Sequence, residues 1–228
     1  MDIGIIGAGE IGGSLTRRLS KLGHKVSVAN SRGPDSLAEL AAETGATAVT
    51  VSEAARSGEI VFVAIPVWKI AELPKDLFDG VGPDVVVDTG NYYPRERDGR
   101  IDEIEAGTTE SRWVANQLGR PVVKALNTLY WRKLLNEGKP AGAPGRIALP
   151  VAGDDKADKA KLIRLFDELG FDGTDAGGLD ESWRQQPGTP VYATDLDAKG
   201  VRKALAEASP ERKPEMRATP NSSLGKPI

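Results

Sequence analysis

Residues 2–13 read Asp-Ile-Gly-Ile-Ile-Gly-Ala-Gly-Glu-Ile-Gly-Gly, an apolar run that leads directly into the pattern G-x-G-x-x-G. In this pattern the first glycine allows a tight turn, the second lets a ligand approach the backbone, and the third lets the following helix pack against the strand. The free N–H groups and the dipole at the start of that helix attract an anion. The stretch therefore predicts a cradle for the pyrophosphate of a dinucleotide. The residues predicted to contact it are Gly7, Gly9, Glu10, Ile11 and Gly12.

The glycine pattern alone is weak evidence in a chain with 26 glycines. The sequence that follows the glycines strengthens the prediction. Apolar side chains follow at helical spacing, at Ile11, Leu15 and Leu19, and Gly23 ends the predicted helix. A second apolar run, Lys25–Ala29, comes immediately afterwards. This order of strand, turn, helix and strand is typical of a parallel sheet that binds a nucleotide at the carboxyl ends of its strands.

The end of the second strand contacts the adenosine ribose in such folds, and here it reads Asn30-Ser31-Arg32. A cofactor with a free 2′-hydroxyl usually meets an Asp or Glu at this point, and none of these three residues is acidic. Arg32 offers a planar set of donors that matches a phosphate, and Ser31 adds a hydroxyl donor. Asn30, Ser31 and Arg32 are therefore predicted to bind the 2′-phosphate of NADP(H).

Length, charge and composition exclude several classes of protein. The 228 residues suffice for one doubly wound domain with a small addition. A net charge of −3, spread through the chain, predicts no nucleic-acid partner, and the lack of a long apolar run predicts no membrane span and a cytoplasmic protein. There is no cysteine, and the single histidine, His24, lies in a turn where we expect it on the surface. These absences exclude a metal site of Cys or His ligands and a histidine that protonates a carbonyl.

The rest of the chain continues to alternate between strands and helices. We expect an α/β fold with a Rossmann-type, doubly wound, mostly parallel sheet and a small C-terminal α/β extension. The expected units are an NADP-binding domain over residues 1–145, a small α/β region over 146–208 and a polar tail over 209–228 that docks on a partner subunit. The other predicted strands are 47–51, 59–65, 85–88, 122–126, 146–152 and 171–175, and a capping box of Thr194 and Asp197 is predicted to start a last helix that ends near Ala208.

Several segments can be compared with known families as a set: Gly7–Gly13, Asn30–Arg32, Val63–Pro66, Val123–Thr128 and Pro150–Asp155. Together they resemble the family of coenzyme F420-dependent NADP oxidoreductases. In that family a deazaflavin lies against the nicotinamide and hydride passes directly between the two rings. The resemblance implies an NADP(H)-dependent oxidoreductase, here expected as a homodimer, with a flavin-like or deazaflavin acceptor as second substrate. It also implies that Ala64, Ile65 and Pro66 lie beside the nicotinamide ribose and that Asn127, Thr128 and Leu129 line the acceptor side.

Further residues are candidates for the same region. Asn91 closes a predicted strand and is expected to contact the cofactor, and Trp68 offers a flat apolar surface for the acceptor. Lys124 and Tyr130 are candidate proton donors, because a buried lysine has a lowered pKa and Tyr130 lies three residues before a lysine. The loop over residues 185–192 is expected either to cover the site or to act as a plain connector.

Three functions stay open at this point. The first is hydride exchange between NADP(H) and a flavin-like or deazaflavin acceptor, which is small-molecule redox chemistry that needs no histidine. The second is reduction of a small carbonyl or imine by NADPH, with Lys124, Tyr130 or Tyr192 as proton donor. The third is a non-catalytic NADPH-binding sensor whose C-terminal segment docks a partner.

Overall fold

A parallel sheet forms the centre of the computed structural model, which describes residues 1–80 and 82–224 of the chain. Its strands are β1 (Asp2–Ile6), β2 (Lys25–Ala29), β3 (Thr47–Ala48), β4 (Ile60–Val63), β5 (Val85–Asp88) and β6 (Val123–Lys124). All neighbours pair in parallel, in the order β3-β2-β1-β4-β5-β6. The order reverses between β1 and β4, which opens a crevice at the carboxyl ends of these two strands. The predicted Rossmann-type fold is confirmed.

Helices cover both faces of this sheet. They are α1 (Glu10–Lys21), α2 (Ala38–Thr44), α3 (Val51–Arg56), α4 (Val67–Ile70), α5 (Asp102–Glu105), α6 (Glu110–Leu118), α7 (Trp131–Asn136), α8 (Lys156–Leu169) and α9 (Ala198–Ala206). Successive side chains of β4 point to opposite faces, so Phe62 belongs to the core under α1 and α8, whereas Val63 belongs to the core under α3 and α6. Burial on both faces explains why the central strands are almost entirely apolar.

The C-terminal extension forms a second, two-stranded sheet beside the first. Its strands, β7 (Ala148–Val151) and β8 (Asp172–Asp175), pair in parallel, and reciprocal hydrogen bonds of 2.8 and 3.0 Å between the backbones of Lys124 and Ala152 join them to β6. Side chains before and after the predicted boundary at residue 145 share one hydrophobic core. The guanidinium of Arg18 also donates to the carbonyl of Leu169 at 2.5 Å, which ties α1 to α8. The two regions therefore pack as a continuous structure.

Several predicted boundaries were wrong. Residues 49–51 do not extend β3, because Thr50 accepts a hydrogen bond from the N–H of Glu53 and so caps α3. Strands β4 and β6 are shorter than predicted. Leu126 has a φ of +65°, a left-handed conformation that no strand accommodates. The predicted capping box before α9 is also absent: Asp197 caps this helix by accepting from Gly200 N–H at 2.7 Å, while the Thr194 hydroxyl donates to Val191 instead.

One expectation about a surface group was also wrong. The His24 side chain is only 7% exposed, and its Nε2 lies 3.1 Å from the carboxylate of Glu168 on α8. The tail, as far as Leu224, packs against its own chain, where Arg212 pairs with Glu110. Docking of the tail on a second subunit stays a prediction, and residues 225–228 lie outside the described part. Among the described residues, no helix has the length and apolar character that crossing a lipid bilayer requires.

Candidate functional site

The glycines after β1 differ in what surrounds them. Gly7 has a φ of +105°, and a Cβ there would lie 2.3 Å from the carbonyl oxygen of Ala64. A Cβ on Gly12 would lie 1.8 Å from the carbonyl oxygen of Gly7. Gly9 is different, because a Cβ there would meet no heavy atom within 4 Å. The protein itself requires glycine at Gly7 and Gly12, whereas at Gly9 the missing side chain leaves open space beside the N-terminus of α1.

A cleft of about 300 Å³ opens at this point, and we call it the glycine cleft. It is lined by Gly9, Glu10, Ile11, Ala64, Ile65, Pro66, Thr89, Gly90, Asn91, Tyr93 and Arg97. The structure thus brings together three sets of predicted residues: the turn after β1, the segment after β4, and Asn91 after β5. They meet because the carboxyl ends of parallel strands lie at the same edge of the sheet.

The loop after β2 has a defined shape that comes from the side chain of Asn30. Its Oδ1 accepts hydrogen bonds from the Arg32 N–H at 2.9 Å and from the Ser36 hydroxyl at 3.1 Å. This arrangement orders the turn in the way asparagine side chains commonly do. The Arg32 side chain is exposed and has no hydrogen bond or ion pair with any residue in the ranges 1–80 and 82–224. Its donors are therefore available to an anion at the outer end of the crevice.

A second cavity, of about 210 Å³, adjoins the glycine cleft, and we call it the amide cavity. It is lined by Ile11, Thr89, Asn91, Leu126, Asn127, Thr128, Leu129, Tyr130, Trp131, Tyr192 and Ala193. The predicted acceptor residues Asn127, Thr128 and Leu129 therefore lie together in one wall. Ile11, Thr89 and Asn91 line both spaces, so a ligand in one lies next to a ligand in the other.

Three amide side chains form a network along this boundary. Asn127 Nδ2 donates to Asn91 Oδ1 at 2.9 Å, and Asn91 Nδ2 donates to the Asn127 carbonyl at 2.9 Å. Gln185, which is fully buried, donates from Nε2 to Asn127 Oδ1 at 3.0 Å. Sequence reasoning did not select Gln185, although covering the site was one of the two alternatives for the loop that it begins. The network fixes the wall of the amide cavity, since each amide is held by the next.

Backbone strain also concentrates here. Leu126 and Ala193, with φ values of +65° and +55°, are the non-glycine residues with positive φ among those described, and both line the amide cavity. Such conformations cost about 1–3 kcal/mol each and are often found at functional sites. Neither was predicted, because no local pattern marks a leucine or an alanine as left-handed.

A pair of tyrosines connects the two spaces, and sequence reasoning identified only one of them. Tyr93 lines the glycine cleft, Tyr192 lines the amide cavity, and their hydroxyl groups are hydrogen-bonded to each other. Burial raises the pKa of the Tyr93 hydroxyl strongly, and the nearby charge of Arg97 opposes this in part. Arg97 in turn forms two 2.9 Å hydrogen bonds to the buried carboxylate of Asp98. The pattern Asn-Tyr-Tyr-Pro after β5 was a signal that could have identified Tyr93.

The remaining candidates occupy different surroundings. Lys124 is fully buried, and its Nζ donates to Asp88 Oδ2 at 3.0 Å and to the Gly90 carbonyl at 2.5 Å, so its charge is already paired. Tyr130 is 54% exposed at the mouth of the amide cavity. Trp68 lines neither space, and its ring lies under the ammonium of Lys69, 3.9 Å from the ring centre. Of these three, only Tyr130 reaches the cavity.

Comparison with known proteins gives the chain its family. The profile of the family described as "NADP oxidoreductase coenzyme F420-dependent" matches residues 2–92, which include β1 to β5 and the glycine turn. The crystal structure of the hypothetical protein SMa0349 from Sinorhizobium meliloti is 31% identical, with a TM-score of 0.73 over 85% of this chain and 94% of that one. The chain belongs to this family of NADP oxidoreductases. The predicted family, and with it the prediction of an NADP-dependent oxidoreductase, is confirmed.

Other proteins resemble this oxidoreductase over smaller parts or at lower identity. YjhV of Escherichia coli K12 is 42% identical over 66 residues, which are 29% of this chain. The match spans 48% of YjhV, about half the length of that curated relative. A protein from Arthrobacter sp. FB24, which carries the provisional name F420-dependent NADP-reductase, is 24% identical with a TM-score of 0.62 over 77% of this chain and 84% of its own. At that identity the likeness shows the fold.

Proposed function

We propose that this oxidoreductase exchanges hydride between NADP(H) in the glycine cleft and a flavin-like or deazaflavin ring in the amide cavity. The observation that carries the proposal is the shared wall of Ile11, Thr89 and Asn91, because ligands bound in the two spaces would lie side by side. Direct transfer requires the reacting atoms to be held about 3–3.5 Å apart. The description of the family, an NADP oxidoreductase that depends on coenzyme F420, supports the same pairing.

The residues of the cleft fit a phosphorylated dinucleotide. The open space at Gly9 adjoins the N-terminus of α1, where backbone N–H groups and the helix dipole favour a pyrophosphate. Ser31 and Arg32 present donors for a 2′-phosphate that have no partner among residues 1–80 and 82–224, and Asn30 holds their loop in place. Ala64, Ile65 and Pro66 form the flank of the cleft after β4, where the nicotinamide ribose would lie. The nicotinamide, when bound, supplies or accepts the hydride.

The acceptor side contributes shape and exclusion of water. Leu126, Leu129 and Trp131 give the amide cavity apolar walls that suit a flat conjugated ring. Asn91 and Asn127 present polar edges whose orientation the amide network fixes. A cavity of about 210 Å³ is smaller than a tricyclic ring system needs for full burial, so we expect the acceptor to be covered in part and released easily.

Stopped-flow mixing tests this function. Protein with bound NADPH is mixed with free riboflavin, FMN or a deazaflavin, and the loss of nicotinamide absorbance is followed. We expect rapid oxidation that saturates with acceptor concentration. Gly9→Ala serves as the matched control, because its added Cβ fills the space for the pyrophosphate without touching other protein atoms. This variant is expected to show only the uncatalysed rate. Equal rates with and without the native protein would refute hydride exchange with these rings.

A second function is favoured by one observation, the Tyr192 hydroxyl at the amide cavity. Reduction of a small ketone or imine by NADPH needs a proton donor beside the reacting carbonyl or imine, and tyrosine serves in that role. Turnover of NADPH with aldehydes, ketones or cyclic imines, together with no oxidation by flavins or deazaflavins, would favour this alternative.

A further inference from the structure

The hydroxyl pair of Tyr93 and Tyr192 lies where the two ligands of the proposed reaction would meet. Tyr93 follows β5 and lines the glycine cleft, while Tyr192 precedes α9 and lines the amide cavity. Both side chains are half-buried, and the hydrogen bond between their hydroxyl groups connects segments 99 residues apart in the chain. The pair is thus in contact with both spaces at once.

This hydrogen bond can run in either direction, because each hydroxyl group can both donate and accept. Burial raises the pKa of its hydroxyl, so Tyr93 keeps its proton at neutral pH. Tyr93 can therefore donate its proton to the Tyr192 oxygen, since the two hydroxyl groups are hydrogen-bonded. In that arrangement the proton of Tyr192 is free for an acceptor in the amide cavity, which Tyr192 lines.

Other groups in the amide cavity are poorer acids or are already engaged. The Thr89 hydroxyl donates to the carbonyl of Val63 at 3.2 Å, and an aliphatic hydroxyl such as that of Thr128 is a much weaker acid than a phenol. Lys124 is paired with Asp88 and does not line the cavity. Tyr130 is the other phenol at the cavity, but it is more than half exposed and has no hydrogen-bonded neighbour for its hydroxyl within the described ranges.

We propose that Tyr192 is the catalytic residue that donates a proton to the acceptor, and that Tyr93 is the positioning residue that orients it. The inference rests on the proposed function. Reduction of the acceptor breaks a C–H bond of NADPH, which becomes NADP⁺, and the hydride forms a C–H bond on a deazaflavin ring or an N–H bond on a flavin ring. The displaced electron pair moves to a ring nitrogen or a carbonyl oxygen, which takes the proton as the O–H bond of Tyr192 breaks. The Tyr192 phenolate is stabilised by the Tyr93 hydroxyl, and water returns its proton.

Three tyrosine-to-phenylalanine variants test the assignment in single-turnover experiments at saturating NADPH. Tyr192→Phe is expected to slow hydride transfer about 100-fold, the lower end of the usual contribution of a general acid. Tyr93→Phe is expected to slow it about 3–10-fold, and to have no further effect in a Tyr192→Phe background, because it acts through Tyr192. Tyr130→Phe tests the other phenol at the cavity, and a loss of rate as large as that of Tyr192→Phe would overturn the assignment. NADPH affinity and melting temperature are expected to stay at the native values in all three.

Solvent isotope effects provide a readout that a structural role would not move. The native protein and Tyr93→Phe are expected to react more slowly in D₂O, and Tyr192→Phe is expected to lose most of this difference. If the native protein is active and Tyr192→Phe reacts at the same rate, the role assigned to Tyr192 is overturned while the proposed function stands. A parallel loss of rate, NADPH affinity and melting temperature would show that the pair is only a structural contact and would also overturn it. A native protein that reduces no acceptor would overturn the proposed function and this inference together.

Discussion

At the scale of single residues, two glycines of one turn have different reasons to be glycine. Gly12 has the carbonyl of Gly7 where its Cβ would be, so any side chain must push the backbone apart. Gly9 has free space in the same position, so the protein alone gives no reason for the absence of a side chain. The ligand supplies that reason, because a pyrophosphate must approach the backbone closely.

The first prediction compares alanine at these two positions. Gly9→Ala is expected to leave the melting temperature unchanged but to weaken NADPH binding at least tenfold, about 1.4 kcal/mol. Gly12→Ala is expected to lower the free energy of unfolding by about 1–3 kcal/mol or more, because the added Cβ overlaps a backbone oxygen. Thermal melting and fluorescence titration with NADPH measure both effects. Unchanged NADPH binding by Gly9→Ala would place the cofactor elsewhere.

The second prediction concerns the choice between the two nicotinamide cofactors. Arg32→Ala is expected to lose about 1.5–3 kcal/mol of NADPH affinity and to leave NADH affinity nearly unchanged, because the guanidinium can pair only with the 2′-phosphate. Arg202→Ala, an exposed arginine on α9, is the matched control for the loss of a positive charge. Isothermal titration with each cofactor measures the difference. Equal losses for NADPH and NADH would refute the role assigned to Arg32.

At the scale of secondary-structure elements, a buried ion pair holds β5, β6 and α6 together. Lys124 of β6 donates to Asp88 at the end of β5, and the Ser111 hydroxyl of α6 donates to the same carboxylate at 2.7 Å. All three side chains are at most 2% exposed. Because the loops that follow β5 and β6 carry Asn91 and Asn127, this pair sets the relative position of the two asparagines.

The third prediction follows from the cost of leaving one charge of this pair alone. Lys124→Met is expected to destabilise the fold by about 3–5 kcal/mol, because Asp88 then stays buried without its cation. Adding Asp88→Asn to Lys124→Met is expected to recover a large part of that loss, since the uncompensated charge is removed. Urea denaturation of the single and double variants measures the change. A Lys124→Met variant of native stability that has lost only turnover would restore Lys124 as a candidate proton donor.

At the scale of the whole molecule, the C-terminal tail packs against the loop that follows β5 and against α6. Arg95 donates to the Pro214 carbonyl at 2.5 Å, and the tail residue Arg212 pairs with the fully buried carboxylate of Glu110 at 2.5 Å. The other oxygen of Glu110 accepts a hydrogen bond from the Tyr92 N–H at 3.1 Å. Contacts of the tail thus reach the segment that carries Tyr93, so we expect the tail to stabilise the site as well as the fold.

The fourth prediction is a pH-dependent loss of stability when Arg212 is removed. Burial raises the pKa of Glu110, and the charges of Lys124 and Arg212 counteract this in part. A carboxyl group with a raised folded-state pKa costs stability as the pH rises above its unfolded value of about 4.5, because only the unfolded chain then ionises freely. Arg212→Met is expected to raise this pKa further and to lose about 3 kcal/mol at neutral pH, but less near pH 4.5.

Thermal melts of Arg212→Met from pH 4.5 to pH 8 measure this effect. Glu110→Gln in the same background serves as the control, because it removes the titrating group and is expected to flatten the pH dependence. Arg202→Ala again provides a charge loss at an exposed position. A melting temperature of Arg212→Met that follows the native protein at every pH would show that the tail does not compensate Glu110.

The sequence by itself determined the parts of this protein whose chemistry is local. The order of apolar runs fixed the parallel sheet, and Gly7, Gly9 and Gly12 marked the turn, because each constraint acts within a few residues of the backbone. The ends of the parallel strands also placed Ala64, Asn91 and Asn127 at one edge, since strand direction alone decides that.

Only the tertiary structure decided what those residues meet. Lys124 reads as a candidate proton donor in the sequence, but Asp88, 36 residues away, pairs with it. Gln185 is hydrogen-bonded to Asn127, 58 residues away, and Tyr93 to Tyr192, 99 residues away. Leu126 adopts a left-handed conformation that leucine does not favour locally. These features depend on packing between segments that are far apart in the chain. The free energy of that packing outweighs the local conformational preferences of the residues, so a short stretch of sequence does not reveal them.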